Sequence, residues 1–170
     1  MAKPHPVNAY YDALGCFIHH FAQTESLLLA GLRQQAGVDE DTARAIFSGT
    51  RVDNAKSFIN RLREIRKLPD SPTLKRAFAQ LTIITTMRND IVHYGAEFKA
   101  GFEPRVSTRA VAMPGNEREH IVTPDTLDQM TADLGIINNA LSAVLFDAPS
   151  EEVRLAWEQA ARQPWHYRPS

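Results

Sequence analysis

Apolar residues recur at three- and four-residue steps through most of this chain, and this spacing is typical of amphipathic α-helices. The first such stripe predicts a long helix over 8–37, with Asn8 as its N-terminal cap. A short helix over 39–47 should follow, because three acidic residues suit its first turn and a Ser-Gly-Thr run ends it. The stripe of the first helix consists of Leu14, Ile18, Phe21, Leu28 and Leu32.

Two further helices are predicted in the middle of the chain, with Pro69 between them because proline interrupts a helix. The third helix should span 52–68. The residues expected on its inner face are Phe58, Ile59, Leu62 and Ile65. The fourth helix should begin at Pro72, since proline suits the first helical position, and should end at Gly95. Its apolar face comprises Leu74, Phe78, Leu81, Ile84, Thr85, Ile91 and Val92.

Helical periodicity is lost over 98–122. Two β-prone runs at 106–111 and 120–123 flank a Met-Pro-Gly-Asn turn, which predicts a small β-hairpin or an ordered irregular excursion. Helical spacing returns over 124–146 after a Thr-Pro-Asp start, and a short final helix should begin at Ser150. The tail that follows either packs on the fold or hangs free.

These elements predict an all-α fold, an up-down bundle of four to five helices with a small β-hairpin or irregular insertion at about 98–122. The length of 170 residues is near the usual size of one domain. We therefore expect 1–170 to form a single domain, with its core over 8–146 and a short helix and tail over 150–170. The apolar fraction of 44% and the charged fraction of 23% are those of an ordinary globular protein, not of a disordered chain.

The sequence predicts a cytoplasmic protein without a membrane span. Its single cysteine, Cys16, cannot form an internal disulfide and is expected to be a small core residue. The first six residues lack the apolar segment of a signal peptide. No apolar run approaches the roughly 20 residues that a bilayer requires.

Charge is unevenly distributed, although the net charge is only −1. Between Arg51 and Arg76 there are 8 basic residues and 3 acidic ones. This basic middle is either a solvated helix surface or a surface for an anionic partner, and composition alone leaves both open.

Metal and cofactor motifs are absent from the sequence. It contains no HExxH, CxxC, GxGxxG or GxSxG pattern. The adjacent His19 and His20 would point about 100° apart on a helix, so they do not form a chelating pair. We expect no metal and no cofactor.

Two charged residues, Glu25 and Arg88, occupy positions where the helical pattern expects apolar ones. Burying an unpaired charge is costly, so we expect the two to form an ion pair between the first and fourth helices. This pair either holds the guanidinium in one orientation for a site or serves only as a packing salt bridge.

His93 lies on a different, polar face of the fourth helix, together with Thr86, Asn89 and Asp90. The five-residue step from Arg88 turns about 140°, so the two side chains meet only if the arginine reaches around or the helix loosens. At a helix C-terminus the helix dipole favours protonated histidine, which suits a proton donor to an anionic substrate.

The segment that begins at Arg88 reads RNDIVHYG and resembles the Arg-x4–6-His motif of HEPN (higher eukaryotes and prokaryotes nucleotide-binding) domains. The order of elements is also similar: a long first helix, the motif near the end of a late helix, and closing helices. Asn89 matches the polar residue that the family favours after the arginine, and Glu25 resembles a first-helix acid of many members. The resemblance covers 10–146 in outline, but the excursion over 98–122 has no counterpart in the family pattern.

The resemblance implies a metal-independent endoribonuclease, in which the ribose 2′-hydroxyl attacks the adjacent phosphate and leaves a 2′,3′-cyclic phosphate and a 5′-hydroxyl. His93 would then move the proton, as general base or acid. Arg88 would neutralise charge on the phosphorane, and Asn89 would orient His93 or a phosphate oxygen. Glu25 and Asp90 would hold these groups in position without contacting the substrate.

The resemblance also implies a homodimer in which two motif copies face one groove, bringing together the RNA-binding residues Arg61, Arg63 and Lys67. RNA is the expected partner. An antitoxin protein is a further partner if the domain acts as a toxin, and an antiphage effector is the other role considered. The alternative function is a non-catalytic helical module that binds RNA, nucleotide or a protein through its basic middle helix. A third is a structural or assembly protein, in which Arg88 serves mainly to stabilise the fold.

Overall fold

The computed structural model describes residues 6–169, so the first five residues, where no signal peptide is predicted, lie outside this range. Six helices and one two-stranded sheet occur within the described range. In chain order they are α1 (Pro6–Ala36), α2 (Glu40–Phe47), α3 (Val52–Ile65), α4 (Pro72–Tyr94), β1 (Arg105–Ser107), β2 (Glu119–Ile121), α5 (Pro124–Leu145) and α6 (Glu151–Ala161).

The long helices form the predicted bundle. Helix α1 packs against α5 and α3, and α4 packs against α5, while α6 covers another side of α5. The core between them is apolar and closely packed, and its fully buried members include Phe17, Phe21, Leu32, Ile84, Leu134 and Ile137. The expectation of an all-α bundle with a small β-hairpin is confirmed.

Several helix ends lie where the capping residues predict them. The hydroxyls of Ser71, Thr123 and Ser150 each accept a hydrogen bond from a backbone N–H in the first turn of α4, α5 and α6 respectively. Gly95 ends α4 with a φ of 68°, a left-handed conformation that glycine adopts without steric cost. The start of α1 was predicted wrongly: the helix begins at Pro6, so Asn8 lies inside its first turn.

Helix α3 differs from its prediction in length and in its inner face. It ends at Ile65, because Lys67 takes a positive φ of 55° and Arg63 donates a hydrogen bond to the carbonyl of Pro69. Ile65 is 77% exposed, and Phe58 packs its ring against Phe47 of α2 instead of the core. The residues buried along this helix are Val52, Ala55, Lys56 and Ile59.

The C-terminal tail packs on the bundle through one buried carboxylate. Asp133 of α5 is fully buried and accepts hydrogen bonds from the backbone N–H of His166 (2.8 Å) and of Tyr167 (3.0 Å). It also accepts one from the side-chain amide of Gln80 at 2.8 Å. Nearby, the guanidinium of Arg76 lies 4.2 Å from the centre of the Trp165 ring. The tail is therefore an ordered part of the core.

The excursion over 98–122 is a hairpin that packs beside the end of α4. Its strands pair antiparallel, with Val106 opposite His120. Val106 of β1 and Val122, which directly follows β2, are both fully buried, so they anchor the hairpin in the bundle core. No helix in residues 6–169 has the length and apolarity needed to cross a membrane.

Candidate functional site

The motif lies at the C-terminal end of α4, beside a cavity of about 350 Å³ that we call the Arg88 cavity. Helix α4 contributes Thr85, Arg88, Asn89 and His93 to its lining. The remaining lining residues are Phe21 and Glu25 from α1 and Arg51, Val52 and Asp53 from the start of α3. Arg88 and His93 thus share one cavity while α4 stays helical through Tyr94, so the helix does not need to loosen.

Arg88 is half-buried, and most of its hydrogen-bonding capacity is unused. Its guanidinium lies over the ring of Phe21, with 5.2 Å from its central carbon to the ring centre. One terminal nitrogen donates to the Asn89 side-chain oxygen at 3.1 Å. The Nε atom is buried and has no hydrogen-bond partner among the described residues. Leaving a buried donor unpaired costs about 1–3 kcal/mol, so this nitrogen is a strained feature of the site.

The ion pair predicted between Glu25 and Arg88 is absent from the described residues. Glu25 does line the same cavity, but the guanidinium is held over Phe21, one turn earlier on α1, and by Asn89. Asn89 therefore orients Arg88 and not His93. This leaves the arginine uncommitted to any carboxylate, and thus available to an anionic ligand.

The N-terminus of α3 also faces the Arg88 cavity. Arg51 precedes this helix, and its side chain makes no capping hydrogen bond within the described chain. Backbone N–H groups at an uncapped helix start are suited to bind anions. Asp53 stands in the first turn, but the buried Lys56 neutralises it at 2.8 Å. The start of α3 therefore adds the positive end of a helix dipole to a cavity that Arg88 also lines.

Asp90 points away from the Arg88 cavity, which overturns its expected place beside His93 on a polar face. It is only 2% exposed and accepts hydrogen bonds from Arg118 at 2.9 and 2.7 Å, with His120 at 3.2 Å. Asp90 therefore ties the hairpin to α4. Val92, expected to face inward, is instead 52% exposed.

The charges around Asp90 make its ionised form the stable one. Burial alone would raise the pKa of this carboxyl, but the hydrogen bonds and positive charge of Arg118, together with His120, hold the pKa below its ordinary value. A carboxylate with a depressed folded-state pKa stabilises the fold above its unfolded pKa and loses that contribution as the pH falls through the folded value.

We predict that Asp90→Asn is less stable at neutral pH, by about 1–2 kcal/mol, because it loses a charged acceptor of Arg118. Below about pH 4 the free energy of unfolding of the wild type should fall more steeply than that of the variant. Urea unfolding over a pH series measures both curves. Parallel curves would contradict this role for Asp90.

The basic residues Arg61, Arg63 and Lys67 are not brought to the Arg88 cavity. They lie at the opposite end of α3 from Arg51, and Arg61 is about 14 Å along the helix from Val52 at a rise of about 1.5 Å per residue. Arg63 is engaged by the carbonyl of Pro69. Any RNA that contacts this end must therefore extend well beyond the motif.

Sequence reasoning missed two contributors to the Arg88 cavity. Thr85 was assigned to the apolar face, but this residue lines the cavity, and its buried hydroxyl has no partner among the described residues. Arg51 was counted only as part of the basic middle. Its position directly before a helix start was the available signal, since that is where free N–H groups collect.

A second and larger cavity, of about 580 Å³, lies between the end of α4 and the hairpin, and we call it the hairpin cavity. Tyr94 lines it, directly after His93 in the chain, and the ring centres of these two residues are 6.3 Å apart. The two cavities are therefore neighbours on either side of the last turn of α4.

Within the described range, no group of three or more His, Cys, Asp and Glu side chains is arranged to hold a metal ion. No family model, no curated protein and no solved structure matches this chain. The geometry of its own residues is therefore the basis for the functional argument.

Proposed function

We propose that this protein is a metal-independent endoribonuclease of HEPN type and that the Arg88 cavity holds the scissile phosphate. The observation that carries the proposal is the guanidinium of Arg88, which forms no ion pair among the described residues and belongs to a residue that lines one cavity with the exposed His93. A planar guanidinium suits phosphate oxygens in pairs, so a phosphate in this cavity supplies the anionic partner that Arg88 lacks.

The electrostatics of the cavity support a phosphate ligand. Arg51 and Arg88 provide two positive charges, and the uncapped start of α3 adds backbone donors. Of the two carboxylates present, Asp53 is neutralised by Lys56, which leaves Glu25. The balance therefore favours an anion at the inner end of the cavity, next to Arg88.

His93 supplies the proton transfer at the rim. It is exposed and therefore open to a large substrate such as RNA. In the proposed reaction the 2′-oxygen forms a bond to phosphorus while the bond from phosphorus to the 5′-oxygen breaks. His93 either takes the proton of the 2′-hydroxyl while water protonates the departing 5′-oxygen, or protonates the 5′-oxygen while water takes the first proton. Arg88 stabilises the charge on the phosphorane, and Asn89 holds Arg88 in place.

The wild-type protein should cut single-stranded RNA in EDTA and leave 2′,3′-cyclic phosphate and 5′-hydroxyl ends. The nucleophile belongs to the RNA, so a matched strand with a 2′-deoxy residue before each phosphate should resist cleavage. Gel analysis with phosphatase and kinase treatment of the ends measures both. Cutting of the deoxy strand, or cutting only after Mg²⁺ is added, would contradict the mechanism.

The proposal extends to the wider expectations of the HEPN resemblance. It includes a cytoplasmic homodimer in which two copies of the motif face one groove. Light scattering of the purified protein measures the molar mass and so distinguishes a dimer from a monomer. It also includes a role as a toxin restrained by an antitoxin protein, or as an antiphage effector. RNA binding without any cleavage would favour the non-catalytic module instead.

A further inference from the structure

The hairpin cavity is larger than the Arg88 cavity, and the proposed cleavage chemistry does not use it. Its volume of about 580 Å³ falls in the range of small-molecule sites. It is formed by the end of α4 and by the excursion over 98–122. Asp90 ties these two parts to each other through Arg118.

The formal charges that line the hairpin cavity cancel. Six charged side chains contribute, three of each sign: Glu97, Glu103, Glu119, Lys99, Arg105 and Arg109. Two ion pairs form among them, Glu97 with Lys99 at 3.2 Å and Glu119 with Arg105 at 2.5 Å. Because the formal charges balance, the cavity favours neither a net cation nor a net anion, and it suits a ligand that can make many hydrogen bonds.

Two opposite charges in this cavity remain uncommitted. The carboxylate of Glu103 and the guanidinium of Arg109 have no ion-pair or hydrogen-bond partner in the part of the chain that the structure describes. Each can form two parallel hydrogen bonds with a planar ligand, the carboxylate as acceptor and the guanidinium as donor. The ligand should therefore present two adjacent donors and, elsewhere, two adjacent acceptors.

Two exposed aromatic rings in the hairpin cavity favour a flat ligand that can stack on them. Tyr94 is 43% exposed and Phe102 is 68% exposed, and both line the cavity. Stacking of a nucleobase on an aromatic ring contributes about 1–3 kcal/mol per base. These rings offer that contact, whereas a ligand without a π-face gains little from them.

We propose that the hairpin cavity is a nucleobase pocket that selects guanine. Guanine is the base that offers two adjacent donors, N1–H and the 2-amino group, to Glu103 and two adjacent acceptors, O6 and N7, to Arg109. Adenine and cytosine place an acceptor beside their amino group on the pairing edge, which a carboxylate repels. Uracil offers a single N–H donor.

This inference deepens the proposed nuclease function and rests on it for the RNA context. Tyr94 directly follows His93 in the chain, and their ring centres are 6.3 Å apart. A guanine held against Tyr94 therefore brings the phosphates next to it close to His93. Cleavage should then occur at a fixed bond next to guanosine.

The pocket can be tested without any cleavage. Calorimetric titration of the wild-type protein with the four ribonucleoside 3′-monophosphates isolates the base, because the phosphate is common to all four. The guanosine nucleotide should bind at least about tenfold more tightly than the others. Equal affinity for all four, or no measurable binding, would overturn the proposal.

In the variant Glu103→Gln, the ratio of the affinity for the guanosine nucleotide to that for the other three should fall about tenfold. The reason is that an amide presents an N–H group where the carboxylate had only acceptors. Glu103 is exposed, so the variant should melt at the wild-type temperature. The matched control is Glu152→Gln, an exposed carboxylate on α6, which should bind all four nucleotides as the wild type does. Equal loss in both variants would refute recognition by Glu103.

The outcome for the pocket is separable from the outcome for the nuclease. Guanosine selectivity in the titration without RNA cleavage would retain the pocket and exclude the nuclease. Cleavage in EDTA that falls equally after all four bases would retain the nuclease and exclude the pocket.

Discussion

Replacing His93 by alanine is expected to slow RNA cleavage at least about a hundredfold, the usual range for loss of a general acid or base being about 10²–10⁴-fold. The imidazole is exposed at the rim of the Arg88 cavity, so its removal should leave the fold unchanged. Single-turnover cleavage in EDTA measures the rate, and a thermal melt checks the fold.

The matched control is His19→Ala, an exposed histidine on α1 that does not line the Arg88 cavity. It should cut RNA at the wild-type rate. Arg88→Ala should lose activity to a similar degree as His93→Ala, because its free donors are the proposed contact with the phosphate. Wild-type activity in His93→Ala would exclude this site and indicate a contaminating nuclease.

The largest effect on stability is expected from Asp133→Ala, at about 3–4 kcal/mol. This carboxylate is fully buried, and its loss leaves two backbone N–H groups and the Gln80 amide without their acceptor. A typical domain is stable by only about 5–15 kcal/mol, so the change is a large part of the total. Urea unfolding measures the loss.

The same variant should release the C-terminal tail. Hydrogen exchange at the amides of His166 and Tyr167 should become fast, because in the wild type both donate to Asp133 and the variant lacks this acceptor. Asp128→Ala, an exposed position on the same helix, is the control and should change stability by less than about 0.5 kcal/mol. If the free energy of unfolding of Asp133→Ala lies within about 1 kcal/mol of the wild-type value, the tail is held by its aromatic contacts instead.

Helix existence and most helix ends were predictable because they depend on neighbouring residues. A serine or threonine before an apolar stripe can cap locally, as Ser71 and Thr123 do. The face of α3 was not predictable in this way. Phe58 and Ile65 fit a helical stripe, but the short α2 supplies a separate surface for Phe58, and Ile65, the last residue of α3, stays exposed to solvent. Tertiary packing decided between equivalent stripes.

The candidate site was predictable only in part for the same reason. The sequence marked Arg88 as an inward charge and His93 as a polar neighbour, and both line one cavity. It could not show that Asp90 is buried, because the partner, Arg118, comes 28 residues later in a segment without helical periodicity. Pairing across such a distance depends on the hairpin, whose packing the pattern does not encode. The HEPN assignment itself stays a prediction.

Helix α4 runs without a break to Tyr94, and its last turn separates the Arg88 cavity from the hairpin cavity. A continuous helical turn is a stiff spacer, so the phosphate contact and the base contact would keep a constant separation during binding. Such a spacer works as a molecular ruler. If both proposals hold, a substrate strand shifts along the surface only by whole nucleotides, and the scissile bond is the one at a fixed number of nucleotides from the recognised base.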